Sequence, residues 1–224
     1  SVTNSQLSTA GSGSPLLYST GDIQVNNVTG VASGSQIAGM EGLNTILIYN
    51  SSLKSTHADA TASDPVVNGI ILYQSTSGDA EASTGNTATF EAYNSTLESA
   101  ITAGAMFYST NTTAVIVLKE TTLVFESKNV NLLTIQGNDS NNWGTPGNNG
   151  SNIKFTGLGE TLSGDIDVDT ISSLDMYLLE GTTYTGATGI SANAVNSTES
   201  AAPITMNLDA ASKWIVSGNS TVTN

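Results

Sequence analysis

One unit recurs along this chain, and few folds can accommodate it. Its clearest copy is residues 104–126, GAMFYSTNTTAVIVLKETTLVFE. The apolar triplet Met106-Phe107-Tyr108 closes on Ser109-Thr110, and a polar turn follows. Then come Ala114, Ile116 and Leu118 at period two, a short polar link and Leu123. This pattern predicts three short strands joined by tight turns. Other copies of the triplet are Leu16-Leu17-Tyr18 and Ile71-Leu72-Tyr73. The alternating run returns at Ile46/Ile48, Ala88/Phe90/Ala92, Ile153/Phe155, Leu174/Met176/Leu178 and Ile204/Met206/Leu208. The single apolar residue after the polar link returns as Leu53, Leu97, Leu123, Leu162, Tyr184 and Trp214, at gaps of 44, 26, 39, 22 and 30 residues.

A basic period of about 22 to 26 residues with insertions accounts for these gaps, and such self-similarity marks a solenoid. Helical repeats would need period 3.6, whereas these runs have period two. The Leu/Asn consensus of a leucine-rich repeat is absent. The expected fold is therefore all-β: a right-handed parallel β-helix, three short strands per turn, with turns stacked at ~4.8 Å. The corners support this. Asn50-Ser51-Ser52-Leu53 and Asn94-Ser95-Thr96-Leu97 match in register. Asn tolerates the left-handed backbone that a sharp corner needs. Gly159 and Gly181 fall near the same place in later turns and meet the same demand.

On these units, and on NGIILYQSTSGDA and GDIDVDTISSLDMYL, residues 15–223 resemble the parallel β-helix proteins of the pectate-lyase-like superfamily. Within that group the chain is most similar to adhesin-like secreted or surface-attached bacterial proteins. The resemblance implies an extracellular or cell-surface location, and fold alone supplies no activity. Residues 1–14, rich in Ser, Thr and Gly, read as a linker or a partial first turn, and 15–224 as one β-helix domain. The strand-like ending without a capping helix suggests a piece of a longer solenoid, or a subunit that associates end to end.

Composition narrows the partners. The 19 Asp and Glu stand against 5 Lys and no Arg, for a formal charge of −14. That surface repels phosphate backbones, so nucleic acid is a poor partner, and no apolar run would insert this segment into a membrane. Without Cys there is neither disulfide nor thiolate metal site. The superfamily's lyases take a proton with Arg or Lys beside calcium held by Asp. Here Arg is absent and Lys54, Lys119, Lys128, Lys154 and Lys213 fall in no Asp cluster. No catalytic residue is assigned. An enzyme reading survives only as a polysaccharide lyase or glycosidase with an atypical site built on the Asp165/Asp167/Asp169 face.

Four insertions interrupt the repeat, at about 54–68, 75–86, 137–150 and 187–202, and such loops are common places for function. Trp143 lies in GNDSNNWGTPGNNG beside Asp139, the composition of a sugar platform. Alternatively, its ring folds back to cover the side of the coil. Tyr49 and Tyr93 point outward with Leu47, Val115 and Val117 as an apolar strip, which either binds a partner or lies beneath insertion 54–68. Asp165, Asp167 and Asp169 alternate on one strand and share a face. They form either a solvated surface or a weak oxygen site, for which calcium is the fitting ion, although the Gly turn and closing Glu of a calcium loop are missing. His57 reads as a solvated loop residue. Tyr18, Tyr73 and Tyr108 read as an in-register stack, and Ser52, Thr96, Thr122, Thr161 and Thr183 as an outward column that Lys213 interrupts. The expected function is a non-catalytic module that contacts an extracellular glycan or a protein of a host or neighbouring cell.

Overall fold

The computed structural model describes residues 1–62, 64–75, 87–139, 143–198 and 203–223. Most of insertion 75–86, residues 140–142 and the end of insertion 187–202 lie outside the described residues. The chain coils as a parallel β-solenoid with three strand-bearing faces, and every strand pairing among the described residues is parallel.

The broad face carries Thr45–Tyr49, Ala88–Tyr93, Thr113–Lys119, Asn152–Leu158, Ser173–Leu179 and Ile204–Leu208, neighbours in that order. The narrow face carries Ser52–Ser55, Thr96–Ser99 and Thr122–Val124, then a separate group of Thr161–Ser163, Thr183–Gly186 and Lys213–Val216. The long strand Asp22–Ala32 bends at Asn27 and belongs to both faces. The third face, here the loop face, stacks Leu17–Ser19, Ala38–Glu41, Asn68–Tyr73, Ala105–Thr110, Asn131–Ile135, Ile166–Asp169 and Thr188–Ser191. Val2–Thr9 forms a strand that lies in register on Val25–Ala32.

The coil follows from what each rung must bury. Inward residues form ladders such as Ile23-Ile46-Phe90-Ile116-Phe155-Met176-Met206. Leu53, Leu97 and Leu123 stack on the narrow face, and so do Leu162, Tyr184 and Trp214. Phe107 reaches across from the loop face and meets Phe90 edge-on at 5.6 Å and Phe155 at 6.1 Å between centroids. All three rings are fully buried. Edge-to-face packing of this kind adds to the area term.

The corner between the broad and narrow faces bears out the asparagine argument. Asn50 and Asn94 have φ of 48° and 47°, and Asn4 and Asn27 extend the ladder at 52° and 54°. Their amides bond along the axis, Asn94 Nδ2 to Asn50 Oδ1 at 2.8 Å and Asn27 Nδ2 to Asn4 Oδ1 at 2.7 Å. Later rungs place Glu120 (φ 51°), Gly159 (66°) and Glu180 (57°) at this corner. One position inside it runs a buried polar column, in which Ser51, Ser95, Thr182 and the carboxylate of Glu160 each accept a backbone N–H from the preceding rung.

Candidate functional site

The loop face departs from simple alternation, and the departure locates the site. Its strands Asn68–Tyr73 and Ala105–Thr110 are buried on almost every residue, outward positions included. Loops cover that side. Ile71, Ala105, Tyr108 and Trp143 form a separate apolar cluster outside the coil, with Val66 and Tyr73 packed on it. Insertion 54–68 brings Val66 and the buried Asp64 to the loop face.

Trp143 is 5% exposed, its ring 4.7 Å from that of Tyr73 and tilted by 43°. Two amides hold its loop. Asn138 Nδ2 donates to the Trp143 carbonyl at 3.1 Å, and the buried Asn149 Nδ2 donates to the same oxygen at 2.7 Å. Gly144 takes φ +78°, and a Cβ there would stand 2.5 Å from Asn111 Oδ1. The ring thus lines a hollow from the side, where an open sugar platform would lie flat.

That hollow, about 110 Å³, is lined by Pro15, Tyr18, Gln36, Gly39, Asp64, Ile71, Tyr73 and Trp143, with Gly13 at its edge. Gly39 is the one lining residue that belongs to the strand Ala38–Glu41. The outward column reads Tyr18-Gly39-Ile71-Tyr108, and the second rung contributes only a hydrogen. Gly39 is not among the residues with positive φ, so its backbone does not require glycine. A Cβ there would meet Tyr18 Cδ2 at 3.3 Å, Ile71 Cγ2 at 3.5 Å and Pro15 Cγ at 3.7 Å.

Tyr18, Tyr73 and Tyr108 do not stack in one register. Tyr18 and Tyr108 share a column, whereas Tyr73 pairs with Glu41 and Thr110 in the next one. A slip of two residues keeps the face and changes the column. It leaves Tyr18 and Tyr73 with their hydroxyls 3.2 Å apart, both donating to Glu41, which Ser75 Oγ also reaches. Burial, with Tyr18 and Glu41 alongside, pushes the Tyr73 phenol far above its ordinary range.

Asp64 closes the other wall. Gln36 Nε2 donates to its Oδ2 at 2.9 Å, Asn68 Nδ2 to the same oxygen at 2.7 Å, and the Val66 N–H to Oδ1 at 3.1 Å. Burial raises the pKa of this carboxyl, and the Asn68 and Val66 donors offset part of that rise.

The other expected residues lie elsewhere. Asp139 is exposed and faces a second hollow of about 220 Å³ on the far side of the same loop, with Gln136, Asn138, Asp169, Ser191 and Asn193. Asp139 and Trp143 therefore do not share a hollow. Asp167 and the buried Asp169 lie on the strand Ile166–Asp169 with Asp165 just before it, and each is tied to its own donors. Asp165 accepts the Ala187 N–H at 2.8 Å and Asp167 the Ser191 hydroxyl at 2.8 Å. Asp169 accepts the Gly137 N–H and Asn193 Nδ2, both at 2.9 Å. Burial, with the Asp169 charge beside it, raises the Asp167 pKa. Among the described residues no group of three or more His, Cys, Asp or Glu is arranged to hold a metal ion.

Tyr49 and Tyr93 stand on the broad face, stacked at 5.2 Å and 8°. Each spends one ring face on the other. Tyr93 also donates to Glu91 at 2.9 Å, and burial together with that carboxylate pushes its phenol up to about 12. His57 lies in the loop after the narrow face, partly buried, and its backbone N–H donates to Ser55 Oγ at 3.2 Å. Sequence reasoning missed Gln36, Gly39 and Asp64 as lining one hollow with Trp143, and Glu41 as the partner of Tyr18 and Tyr73. No local signal brings them together, since they meet only through register and loop crossing.

Compared with known proteins, the chain matches no family model, no curated protein and no solved structure.

Proposed function

We propose that this chain is a non-catalytic binding module of a secreted or surface-attached bacterial protein, and that part of one sugar residue of an extracellular glycan seats in the hollow over Gly39. The observation that carries this reading is the composition of the hollow. The aromatic side chains of Tyr18, Tyr73 and Trp143 meet the hydrogen-bonding groups of Gln36 and Asp64 in a recess on a rigid scaffold. Apolar ring surface with a few convergent polar groups is how proteins bind small polar ligands. A benchmark cavity of about 150 Å³ takes one benzene ring, so an open recess of this size accepts part of a single sugar ring. The likeness to adhesin-like β-helices agrees with such a role. The lyase or glycosidase reading has less support, because each carboxylate of the Asp165/Asp167/Asp169 face is tied to a donor.

A glycan array tests the proposal. The wild type should give hits that Gly39→Val removes, since valine suits a strand and fills the recess. Tyr18→Ala should weaken the same hits. An array without hits, or hits untouched by both substitutions, overturns the reading.

A further inference from the structure

Resting on that reading, we infer that the sugar held over Gly39 carries a free, protonated amine, so that the ligand class is an amino sugar that is not N-acetylated. The argument begins with charge. Asp64 is 7% exposed, and among the described residues its hydrogen-bond donors are all neutral: two amides and one backbone N–H. A buried carboxylate without a cationic partner is costly to ionise. Elsewhere the molecule does pair charge, as in Lys54 with Glu98 at 2.6 Å and Lys119 with Glu180 at 3.1 Å. Both of those pairs are partly exposed. No Lys or Arg is among the described residues that line the hollow.

A second carboxylate adds to the field. Glu41 sits behind the hydroxyls of Tyr18 and Tyr73, which donate to it. The hollow is thus walled by electron-rich rings and one acid, with a second acid behind the tyrosine hydroxyls, an arrangement that repels uronates and favours a cation. Among cations, a primary ammonium suits Asp64 best. A carboxylate offers about four lone-pair sites. Two donors occupy Oδ2 and one occupies Oδ1, which leaves Oδ1 with acceptor capacity for an N–H donor. A quaternary ammonium has no N–H to offer. N-acetylation would remove the charge and add bulk to a recess of about 110 Å³.

The test compares β-1,4-linked glucosamine oligomers with their N-acetylated counterparts, with glucose oligomers and with oligo-glucuronate, by calorimetry at fixed salt. The amine form should bind at least about tenfold more tightly than the others. Asp64→Asn should bring the amine and acetylated forms within about twofold of each other, and Gly39→Val should abolish binding of both. Equal wild-type affinity for amine and acetylated oligomers, still sensitive to Gly39→Val, overturns the inference and leaves the glycan reading standing. Amine binding that survives Gly39→Val is attraction to an acidic surface and overturns it too. If no saccharide binds, here or on the array, both fall. Tetramethylammonium binding without any saccharide replaces the amino sugar with an alkylammonium ligand and overturns both.

Discussion

Glu160 is a carboxylate in a place where neighbouring rungs have hydroxyls. Ser51, Ser95 and Thr182 occupy the buried column just inside the asparagine corner, and Glu160 occupies it at 3% exposure. Its Oε1 accepts the Thr121 N–H at 2.8 Å, at the step where the narrow face splits into two strand groups. Burial pushes its pKa up to about 7 from 4.5, the Thr121 donor offsetting part of the rise. The folded state therefore holds a proton between these values that the unfolded chain has released, and stability falls as pH rises across the window. Thermal melts should show a higher midpoint at pH 4.5 than at pH 8 in this contribution. Glu160→Gln should flatten the difference, and an unchanged pH slope in that variant sinks the assignment. The corner makes a second case. Asn50 has φ 48° and bonds to the rungs on both sides. Asn50→Gly should cost less than Asn50→Ala, which pays about 1 to 2 kcal/mol for a left-handed backbone; denaturant midpoints decide the order. The asparagines were legible because their side chain favours that conformation. Glu120 and Glu180, which adopt it too, were not, since nothing in a glutamate announces a corner.

Among the larger elements, the loop bearing Trp143 is fixed by backbone geometry and two amides. Gly144→Ala would place a Cβ against Asn111 and Asn149 at a φ of +78°. Tryptophan emission should shift to the red while the strand signal in far-ultraviolet circular dichroism is kept; an unshifted spectrum would mean that the loop tolerates the change. The strands themselves were readable. Period-two runs on the broad face follow from one buried and one open side, and the structure matches them residue for residue at Ala114, Ile116 and Leu118. The loop face was harder. Ile71-Leu72-Tyr73 and Met106-Phe107-Tyr108 lack alternation because loops bury their outer side as well. With alternation lost, two-residue slips leave no mark in the sequence, and for that reason Tyr73 was expected in the wrong column. The recess was illegible for a related reason. A glycine in a strand looks the same whether it serves a bulge, a close contact or an empty place, and Gln36 and Asp64 meet across 28 positions of chain.

For the molecule as a whole, the register of the parallel pairings among the described residues makes a quasi-one-dimensional stack in which each rung leans on its neighbours. Hydrogen exchange should grade along the axis of this chain. Amides of Ile116 and Phe107, with paired strands on both sides, should be protected most, and those of Ile215 and Val216, on a strand paired on one side, least. Uniform protection would argue for a single cooperative unit instead. Phe107→Ala, which removes the ring joining two faces, should cost about 3 to 5 kcal/mol.

The vacancy at Gly39 has a meaning for how such a molecule changes. Backbone bonding between storeys holds Tyr18 and Ile71 at their heights whether or not anything fills the gap between them. Even a Cβ at 39 would stand 3.3 Å from Tyr18 Cδ2, so a larger residue there shifts side chains while the ~4.8 Å spacing of the storeys is kept. A coil of this kind can revise its surface by editing single letters, and its architecture need not notice.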